Sequence, residues 1–272
     1  MNEFERRGIQ EANLEALARN KAFKFTNTFF PYTSGEIGPY YINSEAIMKN
    51  PSDFKLAIEC YADLVSYVMR TVDDYTIAGG ESRDWIFSNA LIKEIGKPAI
   101  MIYKDKKIIP FSDEEIKGRT FVITSDLNNE GSSPRDKWVP AIRERGGIVK
   151  NALFYIDRLE GGIEVMKDLE LYSDSVVPLN IFAWKYLQKT GVIDEPIYRN
   201  LRNRGKTKEE RDAWAIKMLR SNVGIATLGS LLMNPKTQEK GINIINKGYP
   251  EIKDELSNRL ISYEKGISLF LK

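Results

Sequence analysis

The sequence predicts an α/β fold: a mainly parallel sheet flanked by helices, with a helical C-terminal extension. Three observations lead there. Short apolar runs alternate with amphipathic stretches in the order strand, helix, strand, strand, helix, strand. The apolar runs are uninterrupted, as expected of strands buried on both faces. Beyond residue 195 the strand signal stops and charge-dense, helix-patterned sequence replaces it.

In chain order, residues 10–22 carry Leu14, Leu17 and Ala18 at helical spacing. The stretch PSDFKLAIECYADLVSYVMRTV predicts the clearest helix, capped by Ser52 or Asp53, with Leu56, Cys60, Leu64, Val65 and Val68 on its apolar face. YTIAGG reads as a short strand ending in glycines, and WIFSNALIKEIG as a helix stopped at Gly96. KPAIMIYK and GRTFVITSD are two further strands. SPRDKWVPAIRERGG is a helix interrupted at Pro140 and closed by Gly146 and Gly147, and IVKNALFYID is the next strand. Residues 223–272 are patterned as helices broken at Gly241, Gly248 and Gly266. The expected domains are 1–195, an α/β domain, and 196–272, a helical extension.

Composition narrows the chemistry. The 272 residues are 42% hydrophobic and 29% charged, enough to bury a core. With 40 basic and 38 acidic residues the net charge is only +2, which gives no reason to expect nucleic acid or an anionic membrane as partner. There is no histidine, which excludes a histidine base, a Ser-His triad and a histidine-ligated metal. The single cysteine, Cys60, excludes an intrachain disulfide and fits a reducing compartment. No apolar run approaches the roughly 20 residues that span a bilayer, and the N-terminus lacks an apolar secretory core, so the expected location is cytoplasmic.

Three strand ends carry unusual loops, and ligands of parallel sheets bind beyond the carboxyl ends of strands. In AGGESRDW (78–85), Gly79 and Gly80 permit close backbone approach and Arg83 can assist an anion; an ordinary tight turn with a glutamate cap explains the same residues. In SDLNNEGSS (125–133), Gly131, Ser132 and Ser133 offer amides and hydroxyls suited to phosphate, with Asp126 placed to accept hydrogen bonds from sugar hydroxyls; the alternative is a plain helix-capping loop. Lys104, Lys106 and Lys107 follow a strand directly and suit a polyanion, or else line a solvated hairpin.

Taken in order, these segments resemble the type I phosphoribosyltransferases, and among them the orotate phosphoribosyltransferases. TSGEIGPYYINSE (33–45) resembles that family's N-terminal segment, and AGGESRDWIFSNAL its pyrophosphate loop. YKDKK resembles its basic strand end, FVITSDLNNEGSS its ribose-phosphate loop, and YIDRLEGG (155–162) the end of its base pocket. The resemblance covers about residues 10–190. It implies transfer of ribose 5-phosphate from phosphoribosyl pyrophosphate to a pyrimidine base such as orotate, in pyrimidine nucleotide synthesis, with Mg2+ and in a homodimer. By the same implication Asp126 holds the ribose hydroxyls, and Asn128, Asn129, Glu130, Gly131, Ser132 and Ser133 cradle the 5-phosphate. Gly80, Glu81, Ser82 and Arg83 face the pyrophosphate, with Asp126 and Glu81 toward the metal. Lys104 and Lys107 neutralise the leaving group, Arg158 pairs with the orotate carboxylate, and Tyr40 and Tyr41 lie near the base.

The chain also departs from that pattern. Ser125 stands where the family has a second acid, and Asp84 where its pyrophosphate loop tends to have glycine. The loop IIPFSDEEI is short, acidic and apolar where the family's mobile loop is glycine-rich and basic. Two expectations follow: an active transferase, or a non-catalytic nucleotide- or base-binding protein of the same fold. Both need the backbone from Leu127 to Ser133 to form a cup whose amides converge on an anion.

Overall fold

The computed structural model describes residues 3–32, 34–81, 84–205 and 207–270. The chain opens with α1 (Glu3–Arg19), strands β1 (Phe23–Pro31) and β2 (Ile37–Ile42), a 3-10 turn (Ser44–Lys49) and α2 (Pro51–Met69). Then come β3 (Thr76–Gly80), α3 (Asp84–Ile95), β4 (Ala99–Ile102), β5 (Ile108–Ile109), α4 (Asp113–Ile116) and β6 (Thr120–Asn128). A π-helical turn (Pro134–Trp138) runs into α5 (Val139–Arg143), followed by β7 (Ile148–Asp157), α6 (Gly162–Asp168), β8 (Tyr172–Pro178) and α7 (Ile181–Lys189). The remainder is helical: α8 (Glu195–Asn203), α9 (Lys208–Leu219), α10 (Asn222–Met233), α11 (Gln238–Asn243) and α12 (Lys253–Phe270). No helix among the described residues is long and apolar enough to cross a membrane.

These elements form two compact units, residues 1–22 with 43–187, and residues 23–42 with 188–272. The division differs from the break expected at residue 195. The hairpin β1–β2 groups with the C-terminal helices because Phe29 and Ile37 are buried in one core with Trp214, Leu219, Leu228 and Ile244. The sequence predicts no strand in 23–42, where apolar and polar residues alternate poorly and the pairing shifts register between Phe25 and Phe30.

The first unit is the expected sheet, in the order β5-β4-β3-β6-β7-β8. All neighbours are parallel except β5, which returns antiparallel to β4. Strand β8 is absent from the sequence reading because YSDSVVP is only half apolar, as suits an edge. Alternate residues of the strands feed two cores. Ala78, Ile100, Ile102, Phe121, Ile123 and Phe154 pack with Ala141 and Ile142 of α5 and Met166 of α6. On the other face Tyr155 of β7 meets Tyr61 of α2 and Phe87 of α3. The helices following β3 and β6 therefore leave the sheet on opposite faces, and the carboxyl ends of these two neighbouring strands diverge. Such a divergence opens the crevice where open α/β sheets bind ligands.

Helix α2 shows where local sequence misleads. Its cap is Asn50, whose Oδ1 accepts the N–H groups of Ser52 and Asp53, not Ser52 or Asp53 themselves. Asp53 is buried and instead accepts hydrogen bonds from Arg19 and Asn20, and the Arg19 guanidinium holds its carboxyl below the usual range. The buried stripe runs through Ala57, Ile58, Tyr61, Ala62, Leu64 and Val65, one step round from the predicted face.

Candidate functional site

The divergence of β3 and β6 holds a cavity of about 300 Å3, lined by residues 125–134 together with Glu81, Asp84, Lys104 and Trp138. All of these belong to the first unit.

Strand β6 carries the acidic end of the cavity. Tyr61, fully buried in α2, accepts the N–H of Ser125 at 3.0 Å and donates its hydroxyl to the Leu153 carbonyl, so α2 clamps β6 and β7 at this level. Burial pushes the Tyr61 phenol well up. Asp126 is 6% exposed and its Oδ2 accepts the hydroxyl of Ser44. Beside it lies Asp84, the first residue of α3, whose Oδ1 accepts the Asp126 N–H at 2.9 Å and the Ser125 hydroxyl. Burial first, then the Asp126 charge and a carboxyl–carboxyl hydrogen bond, raise the Asp84 carboxyl well above the ordinary range. The site is thus not an acid short, as Ser125 alone suggests: a second carboxyl arrives from the neighbouring segment.

The far end is the loop after β6. Gly131 adopts φ +70°, a conformation that disfavours side chains, and a Cβ there would lie 2.9 Å from Val165 and Met166. Among the described residues, no hydrogen bond is donated by the backbone N–H of Asn129, Gly131, Ser132 or Ser133. The Asn129 and Gly131 carbonyls are used, accepting from Gly162 and Arg135. The loop is thus tied down by its carbonyls while those amides remain available to a ligand, as an anion cradle requires. The described lining carries four carboxyls, Glu81, Asp84, Asp126 and Glu130, against one ammonium, Lys104.

No model of a known protein family matches the chain. Individual proteins do. The orotate phosphoribosyltransferase of Staphylothermus marinus is 29% identical over 202 residues, which take in 72% of this chain and 93% of that protein. That of Methanocaldococcus jannaschii is 30% identical over 165 residues, taking in 59% of this chain and 88% of that protein. The chain belongs to the orotate phosphoribosyltransferase family. Among solved structures, UMP synthase of Leishmania donovani superposes with a TM-score of 0.62 at 23% identity, covering 72% of this chain. This chain spans only 42% of that protein, and the likeness bears on the fold.

For this member of the orotate phosphoribosyltransferase family, the structure brings together Asp126, Asn128, Asn129, Glu130, Gly131, Ser132, Ser133, Glu81 and Lys104 around one cavity. Some of these side chains are engaged within the protein, and other expected residues stand elsewhere. The Asn128 side chain is 2% exposed and donates to Asp157 at 2.9 Å, so it braces the loop instead of offering its amide to a phosphate. Glu81 Oε2 accepts the Lys104 N–H at 3.0 Å, which fixes the two basic and acidic loops to each other. Gly80 is not among the lining residues; a Cβ there would sit 2.1 Å from the Trp138 ring, so the missing side chain makes room for the indole. Lys107 is outside the lining, with its ammonium 5.9 Å from the Tyr103 ring centre. Arg158 is buried and paired with Glu160 at 2.9 Å. Tyr40 and Tyr41 belong to the second unit, Tyr40 buried within 5.9 Å of Arg204 and Tyr41 exposed. Ser82 and Arg83 lie outside the described residues.

Sequence reasoning passed over Ser44, Asp84, Ser125 and Trp138 as site residues. Asp84 and Ser125 are signalled in the sequence only as two separate departures. Their relation is a contact across 41 positions of chain, which no local motif encodes.

Proposed function

We propose that the protein transfers ribose 5-phosphate from phosphoribosyl pyrophosphate to orotate, releasing pyrophosphate. The bond from C1 of the ribose to the pyrophosphate oxygen breaks, and the bond from C1 to a pyrimidine nitrogen forms. One observation carries the reading: loop residues 129–133, Asp126 and Lys104 line the same cavity. An anion at the loop and sugar hydroxyls at Asp126 would anchor the ribose through C5 and through C2 and C3, which fixes where C1 stands. Chemistry of this kind depends on positioning and charge stabilisation, so the absence of histidine is no obstacle.

The donor set suits Mg2+. Glu81, Asp84 and Asp126 offer hard carboxylate oxygens, and the surplus of negative charge in the lining opposes a free polyanion. Among the described residues no group of three or more acidic, cysteine or histidine side chains could hold a metal by itself. That matches an ion held by one or two carboxylates together with substrate oxygens. Asp126 and Glu81 would hold it, and when bound it would neutralise charge on the leaving pyrophosphate. Lys104 adds a protein cation on the same side. A homodimer is part of this reading and rests on family membership; equilibrium sedimentation tests it.

A second reading, nucleotide binding without turnover, is favoured by the segment after β5. Ser112 and Glu115 close a capping box on α4, and Arg145 binds Asp113 at 2.8 Å. This is a tied, acidic turn, unlike a loop that brings cations over a substrate. Following orotate loss with phosphoribosyl pyrophosphate and Mg2+ separates the two. Turnover establishes the transferase. Folded protein without turnover at high concentration, yet binding nucleoside monophosphate by calorimetry, establishes the second reading.

A further inference from the structure

The acidic end of the cavity holds a pair that backbone needs alone do not explain. Strands β3 and β6 pair only as far as Gly79 opposite Thr124. Past that point β3 turns away into α3, and the N–H of Asp126 has no strand partner on that side. Asp84 replaces the missing ladder bond: one oxygen accepts both the Asp126 N–H and the Ser125 hydroxyl. This task needs one acceptor and no charge, so an asparagine would do it. A carboxyl does it here, 6% exposed, in contact with a second carboxyl that is equally buried. Two carboxyls side by side in the cavity wall supply more acceptor oxygens than the backbone donors there use. Such an arrangement is expected where a ligand uses it.

The ligand's chemistry follows from the two ends of the cavity. Uncommitted amides at Asn129, Gly131, Ser132 and Ser133 suit an anion, and the paired carboxyls suit adjacent hydroxyls, because a carboxyl oxygen accepts the hydrogen bond that a hydroxyl donates. We propose that Asp84 is a substrate-binding residue, which with Asp126 grips the vicinal hydroxyls of a ribose phosphate, and that Ser125 is the positioning residue that holds Asp84 in place. The acid pair of this chain is thereby split between β6 and the start of α3. The inference rests on the phosphoribosyl reading above and deepens it by assigning the second carboxyl.

Calorimetry on the full chain, with ribose 5-phosphate and 2-deoxyribose 5-phosphate as probes at fixed Mg2+, tests it. The wild type should prefer the ribose compound by about tenfold or more, the worth of a hydrogen bond to a charged group. Asp84→Asn keeps an acceptor for both backbone-side donors, so its urea midpoint should stay near wild type, while the ribose preference collapses. Asp84→Asn combined with Ser125→Asp should restore the preference by returning an acid to β6. A wild type without preference, or an Asp84→Asn variant that keeps it or weakens both sugars equally, overturns the proposal. Orotate turnover by the wild type with an unchanged preference in Asp84→Asn sinks this inference alone. Lack of turnover with an Asp84-dependent preference sinks the transfer reading alone, and lack of ribose 5-phosphate binding sinks both.

Discussion

At the scale of single residues, Asp157 shows how a brace for the site sets a pH dependence. It is 3% exposed, accepts Asn128 Nδ2 at 2.9 Å and the Leu159 N–H at 2.7 Å, and burial pushes its carboxyl up to about 6. Because the folded state holds this proton more tightly than the unfolded chain, the folded state binds more protons between about pH 4 and 6. Stability contributed by the group is therefore present below about pH 4 and is lost as pH rises through 6. At neutral pH the ionised group opposes folding by up to about 3 kcal/mol. Asp157→Asn removes that dependence, since the Asn128 amide can turn its oxygen to face the new donor. Urea midpoints of the two proteins should diverge from pH 4 to 7 in favour of the variant; parallel curves would show that Asp157 does not titrate in this window. In the sequence the same residue is legible as a strand end and as part of the YIDRLEGG motif, but not as a brace for the loop, because its partner Asn128 lies 29 positions away.

At the scale of elements, the hold of α2 on the sheet is the feature to test. The Tyr61 hydroxyl serves the Ser125 N–H and the Leu153 carbonyl from within a fully buried position. Tyr61→Phe leaves both groups unsatisfied and is expected to cost about 1–3 kcal/mol in denaturant unfolding. It should also weaken sugar-phosphate binding, because Ser125 is the next link to Asp84. A loss of stability with unchanged binding would show that α2 supports the sheet without positioning the site. The existence of α2 was plain in its periodicity, but its buried face and cap were not: an Asn-Pro start and a Ser-x-x pattern compete locally, and contacts with Arg19 and the sheet decide between them.

At the scale of the whole molecule, the second unit is built from segments far apart in sequence. The Ile37 N–H donates to the Tyr249 hydroxyl at 3.3 Å, and Lys208 bridges Glu36 and Asp212, so hairpin and C-terminal helices share polar as well as apolar contacts. Truncation after residue 195 would strip Phe29 and Ile37 of their core while leaving the hairpin in the chain. The expected product exposes that apolar face, binds a hydrophobic dye and self-associates in size-exclusion chromatography. A monodisperse, dye-negative truncation would show that the hairpin folds without those helices. The boundary near residue 195 reflects a change in composition, whereas the unit boundary reflects which surfaces bury one another.

By itself the sequence determined the parallel sheet, the strand ends whose loops line the cavity, and the family, because apolar periodicity and loop chemistry are local properties of the chain. Only the tertiary structure decided that the hairpin joins the C-terminal helices and that Asn128, Gly80 and Arg158 face inward. It also decided that Asp84 stands beside Asp126. Each of these depends on side chains dozens of residues apart competing for the same buried donors and the same space, and that competition is settled only when the chain is folded.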